Sequence, residues 1–382
     1  MKALALRIVV VATCLLSLSL PTPIQATTIL NEIDTLDAEP YRILPGMTPD
    51  EYWIVDKWNG LILLKEDPPG TWTTEYYPID RLFDACGPDS RGYIYCCVWP
   101  WDADGTVAVF DSTATPPSVI ETVNLGGRYI VSGAELSPDE SSLYVIGTDW
   151  GGPSYESGTH PDTGIIWELD LTSPGFPVIN QGVLPALPQS LIYIEPEYGP
   201  DRLFVYCIER EFSVRPYASK LEVLEIAPGF PHLTQLIVPF AEEYIYHNPM
   251  VFWDQGETLI ALSNPYCYEV QNDPRYKDGL WLIDTTTDTI VQTITVLESH
   301  GVPRGAGFTL ISQAHPGWVY VCLGLGTASS EISIIDHDTG AYIGSVDTEG
   351  YPLPYFIHEL ADGRLIATCG HRNTILIIDP EG

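Results

Sequence analysis

Basic residues are scarce in this chain: 17 Lys and Arg stand against 51 Asp and Glu, a formal net charge of −34 over 382 residues. A surface that acidic repels phosphate backbones and anionic headgroups, which argues against nucleic-acid binding and against membrane attachment through basic patches. Long apolar runs are lacking as well. Ile8 to Leu20 is uncharged and largely apolar, but 13 residues are too few to cross a bilayer. No later stretch approaches the roughly 18 residues that a span requires. Cysteine is sparse, eight in all, and no spacing forms CxxC or CxxCH, so structural zinc and c-type haem have no sequence support. No segment keeps a helical period over about 11 residues, which excludes α/β barrels and helical solenoids. A GxSxG elbow, an HExxH helix and a Walker loop are all missing. The expectation is therefore no cofactor and no metal; Asp102-Ala103-Asp104-Gly105 starts like a calcium loop but lacks the later ligands and reads as a tight turn.

What is present is ample core material, 45% hydrophobic with only 18% charged, and many turn formers, 32 Gly and 33 Pro. The N-terminus carries Lys2 and Arg7, then the apolar run, then Pro21, Pro23 and Gln25-Ala26. This order reads as a signal peptide over residues 1–26, cut near Ala26, and predicts an extracytoplasmic protein, secreted or periplasmic. A lipoprotein cut before Cys14 fits less well, because Thr13 is a poor neighbour for it and the apolar run continues beyond. Residues 27–382 then form one domain with a charge of −36, Lys2 and Arg7 having left, and an odd seven cysteines.

One pattern recurs along that domain: a turn, a short β-rich run, a variable loop, and a second run ending at Asp. Asp139 to Ile146, Asp201 to Cys207 and Gly363 to Cys369 are first runs; Thr106 to Asp111, Ile165 to Asp170, Leu280 to Asp284, Ile332 to Asp336 and Ile375 to Asp379 are second runs. They are short, β-branched or aromatic, and bounded by turn formers, as strands are. The second runs end at Lys65, Asp111, Asp170, Ala227, Asp284, Asp336 and Asp379. The mean step of about 52 residues fits seven four-stranded units, the signature of an all-β, seven-bladed β-propeller with antiparallel blades. The last unit stops after its third strand, and Thr28 to Leu36 (TILNEIDTL) resembles the fourth strand Thr289 to Val296 of another unit. An N-terminal strand that completes the last blade would close the ring and remove exposed sheet edges.

Pro138-Asp139 before Leu143-Tyr144-Val145, and Leu282-Ile283-Asp284-Thr285 before Asp288-Thr289-Ile290-Val291, resemble the YVTN repeats of exported bacterial and archaeal propeller proteins. The resemblance covers nearly the whole mature chain and implies the same fold. It implies little about function, because the motif consists of strand and turn residues. Lys65 and Ala227 depart from it where other repeats carry Asp.

Aligned second strands place Asp56, Cys97, Gly147, Cys207, Ser263, Cys322 and Cys369 in one column, read as tight inter-blade packing in which Cys serves as a small apolar residue. The recurrent Asp reads as a turn former. Function is expected on the face formed by the loops leading into each blade and the loops between second and third strands. The leading loops carry Arg81, Arg128, Gln189, His247 and Arg304, a set that could hold a carboxylate or other anion at the channel mouth. The second-to-third-strand loops carry Trp99, Trp101, Trp150 and Tyr266, rigid contact area for a protein, peptide or glycan surface. His247, His300, His358 and His371 also fall in or near these regions. The reading is an exported, acidic, monomeric binding scaffold. The alternative is a lactonase-like hydrolase or lyase acting on a small anionic substrate at the channel mouth, with no catalytic residue assigned.

Overall fold

The computed structural model describes residues 28–35, 38–99, 104–127, 129–149, 164–184, 187–196, 200–208, 219–226, 232–238, 250–253, 258–263, 279–297, 299, 303–304, 306–323, 331–348, 350 and 354–381. Among them the chain builds seven four-stranded antiparallel sheets. After β1 (Thr28–Asp34) come four meanders: β2 (Pro40–Pro45), β3 (Glu51–Asp56), β4 (Gly60–Glu66) and β5 (Trp72–Pro78); β6 (Leu82–Cys86), β7 (Tyr93–Val98), β8 (Thr106–Asp111) and β9 (Ser118–Asn124); β10 (Tyr129–Leu136), β11 (Ser142–Asp149), β12 (Gly164–Asp170) and β13 (Val178–Leu184); and β14 (Leu187–Ile194), β15 (Arg202–Ile208), β16 (Ser219–Glu225) and β17 (His232–Val238). The fifth blade is β18 (Met250–Phe252), β19 (Leu259–Ser263), β20 (Leu280–Asp284) and β21 (Thr289–Ile294). A small hairpin, β22 (Val296–Leu297) and β23 (Pro303–Arg304), precedes the sixth blade of β24 (Ala306–Ile311), β25 (Trp318–Leu323), β26 (Glu331–Asp336) and β27 (Tyr342–Asp347). The seventh holds β28 (Phe356–Glu359), β29 (Leu365–Cys369) and β30 (Thr374–Asp379), with β1 as its outermost strand.

The ring closes as the missing fourth strand foretold. β1 lies antiparallel to β30, Thr28 opposite Asp379 and Asp34 opposite Thr374. The Thr35 N–H and hydroxyl both donate to the Asn373 carbonyl, at 2.8 and 2.6 Å.

Seven apolar clusters fill the seams between neighbouring blades, including the one from the seventh blade to the first, where Ile366, Ile375 and Ile377 meet Ile54, Ile62 and Leu64. An inner strand is therefore buried on both faces, which is why its sequence reads as a nearly unbroken apolar run. In β7, Ile94 and Cys96 face the first blade while Tyr95 and Cys97 face the third. The outermost strands have one face against solvent, and β5 and β9 are mostly exposed.

The recurrent Asp performs the turn role. Asp111, Asp170, Asp284 and Asp336 each accept a hydrogen bond from the backbone N–H and hydroxyl of a following Thr. The fourth unit needs correction: Glu225, opposite Arg202, ends its third strand, two residues before Ala227. The small-residue column also needs correction. Cys97, Cys207, Cys322 and Cys369 are all fully buried. However, Cys97 and Cys322 face the following blade, whereas Cys207 and Cys369 face the preceding one. The column mixes two registers one residue apart, and in a strand one residue is the other face. Measured from the pairing with each third strand's end, the true equivalents of Cys97 are Ile146 and Tyr206, so the position does not demand a small residue.

Candidate functional site

Each blade turns its first strand toward the axis, so the channel is lined by β2, β6, β10, β14, β18, β24 and β28 together. It is narrow, leaving ≈ 70 Å³ for solvent, enough for a few waters and too little for a sugar ring or peptide. Met250, Phe308 and Phe356 close one side. The other carries three charged residues, Arg42, Asp84 and Glu135.

Arg42 Nη1 donates to Asp84 Oδ2 at 2.9 Å. Asp84 Oδ1 also accepts the Ala85 N–H at 2.9 Å, which fixes its rotamer. Burial works against the charge on Arg42, but Asp84 and then Glu135 outweigh it and hold the guanidinium protonated. Glu135, further along β10, is half-buried in the channel lining. Burial pushes its carboxyl up to about 7, against the pull of Arg42 and with a further push from Asp84. Two carboxylates thus share one arginine, and the described residues of the channel do not make a positive spot.

At the mouth the first two blades are stitched together by their loops. The Trp58 N–H donates to the Leu82 carbonyl (2.6 Å), the Arg81 N–H to the Trp58 carbonyl (2.8 Å), and the Trp99 N–H to the Arg81 carbonyl (3.0 Å). This places three rings together: Trp58 and Trp99 with centroids 5.1 Å apart, Phe83 5.4 Å from Trp99 and 5.9 Å from Trp58. Lys57 is 6% exposed, and its Nζ sits 4.5 Å from the Phe83 ring, 5.0 Å from Tyr41 and 5.7 Å from Trp58. Burial lowers its pKa, opposed by Glu39 and Asp84. Trp58 has φ 84°, a left-handed conformation strained for so bulky a side chain. The loop contacts hold it there, and strain of this kind is concentrated at functional sites.

Of the residues singled out from the sequence, Arg81 and Trp99 lie at this mouth and Gln189 lines the channel. The Arg81 guanidinium is 3.8 Å from Asp80 of its own turn, outside the channel lining. Gln189 is buried and donates through Nε2 to the Pro188 carbonyl at 3.1 Å. Arg304 lies on the short β23, its backbone opposite Val296, and its side chain is outside the described residues. Arg128, His247, Trp101, Trp150 and Tyr266 lie outside the described residues, as do Asp102 and residues 1–27 with the proposed cleavage site. His358 corrects its sequence placement: it is on β28 near the turn into β29, at the opposite end from the mouth, 5.1 Å from the Tyr52 ring.

Arg42, Asp84 and Glu135 were missed, although a signal existed. Each is a charged residue inside an apolar first strand, PYRILP, LFDAC and YIVSGAEL, and a charge there is unusual unless it faces a channel. Lys57 and Trp58 carry no such mark, because a Lys-Trp-Asn-Gly turn is ordinary in sequence. No protein-family model matches the chain, and no curated protein is similar to it.

Proposed function

We propose that this chain is an exported, acidic β-propeller that serves as a binding scaffold, seating a protein, peptide or glycan on its mouth face at the first two blades. The observation that carries this reading is the Trp58–Phe83–Trp99 cluster around the Lys57 ammonium. Two partly exposed tryptophans held rigid by backbone hydrogen bonds, one at a strained φ, make a contact surface with little ordering cost. Export rests on the N-terminal pattern over residues 1–26, and kinship with YVTN propellers on the repeat pattern. The hydrolase or lyase reading has less support, since among the described residues the arginine that reaches the axis is already paired with Asp84 and faces Glu135.

The test is an array of glycans and peptides probed with the mature chain and with Trp99→Ala. A hit that weakens at least about tenfold in the variant supports the reading, the scale expected for a tryptophan at the centre of an interface. Hits that are indifferent to Trp99 and Trp58 would overturn it.

A further inference from the structure

The turn after β3 and the end of β1 enclose a second recess, ≈ 440 Å³, lined by Asp34, Asp56, Asn59, Ile62, Thr74 and Tyr76, among others. It lies where the closing strand runs into the first blade: Asp34 ends the seventh blade's outermost strand, and the others named belong to the first blade. Asp56 is 1% exposed. Its Oδ1 accepts the Glu39 N–H at 2.8 Å and the Asn59 amide at 3.2 Å. Its Oδ2 is buried and accepts no well-formed hydrogen bond, although the Tyr76 hydroxyl lies close enough to interact with the carboxyl. A buried carboxylate oxygen left unmatched is costly, and such a group in a native structure calls for an explanation.

We propose that this recess binds a primary alkylammonium group, its N–H donors meeting Asp56 Oδ2. An acceptor without a well-placed donor selects a donor, and a carboxylate selects a charged one. Asp34 at the rim adds a second negative charge, and the overall charge of −34 draws cations toward the protein. Tyr76, 49% exposed, offers a ring face to the cation, and Ile62 offers an apolar surface to its carbon stem. Burial and then Asp56 push the Tyr76 hydroxyl up to about 12, so the ring stays neutral beside the ligand. A divalent metal is less well served, since among the described residues no three His, Cys, Asp or Glu gather to hold one.

A free amine and a lysine side chain present the same group. The experiment therefore titrates the full chain with n-butylammonium, with n-butanol as its neutral match, and with the capped peptide acetyl-Gly-Lys-Gly-amide, followed by ligand-observed NMR. Binding of either ammonium at least about tenfold tighter than n-butanol supports the proposal, and the ratio of the two identifies the source. Asp56→Asn keeps the Oδ1 acceptor and should remove that preference. Thr74→Trp, at an exposed strand position, should fill the recess and abolish binding with an unchanged melting temperature. Trp99→Ala should bind as wild type, which separates this site from the mouth face. Equal affinity for n-butanol, full binding by Thr74→Trp, or displacement of the amine by equimolar calcium chloride would overturn the assignment.

Discussion

Replacing Glu135 with Gln should stabilise the protein in alkaline buffer and leave it unchanged in acid. The ordinary glutamate value is 4.5, and inside the channel burial raises the carboxyl to about 7. A group whose folded pKa lies above its unfolded one favours folding fully below the unfolded value, and that favour is lost as pH rises through the folded value. Between about pH 4.5 and 7 the folded state thus loses about 3 kcal/mol at this side chain, because deprotonation is harder inside the ring than in the open chain. The facing groups are Asp84, Arg42, Tyr41 and Cys86; Arg42 remains charged throughout, and burial keeps the Tyr41 hydroxyl and the Cys86 thiol protonated. Gln cannot titrate, so the penalty vanishes in the variant, less what its amide loses by leaving water. Urea unfolding of both proteins at constant salt, from about pH 4 to 9, reads the difference directly if the m-values agree. The difference isolates Glu135 from the many surface carboxylates, which titrate in both proteins. Two curves that run parallel across this window would refute the reasoning, since Glu135 would then titrate as it does in the unfolded chain.

Deleting residues 28–34 should unpair β30 along its length and leave an open sheet edge; we expect a melting temperature lower by several degrees and aggregation on size-exclusion chromatography, and an unchanged monomer peak with the same melting point would contradict ring closure. Cys322 is fully buried between the sixth and seventh blades, so Cys322→Leu should overpack the seam and cost about 1 to 3 kcal/mol in chemical unfolding. Cys322→Ala should cost less than Cys322→Leu, and intact-mass labelling of the folded protein should leave this thiol unmodified.

Local chemistry determined the architecture. Turn-forming Asp residues that recur about every 52 residues and apolar runs flanked by Gly and Pro need only neighbouring residues to act, so they are legible along the chain. The same holds for closure, because a unit that ends after three strands leaves an edge that only another strand can cover. Which residues meet was decided by tertiary structure. One residue of register put Cys207 and Cys369 on the opposite face from Cys97 and Cys322, and register is set by pairing with the next strand, which no composition records. Arg42 and Asp84 are 42 positions apart and Asp84 and Glu135 are 51 apart, yet blade packing brings all three to the channel. Arg81 lies at the mouth with its guanidinium 3.8 Å from Asp80 of the same turn, a contact that only the folded turn reveals. The recess beside Asp56 draws on Asp34 and Asp56, only 22 positions apart, but the side that each turns to the other was set by the pairing of β1 with β30.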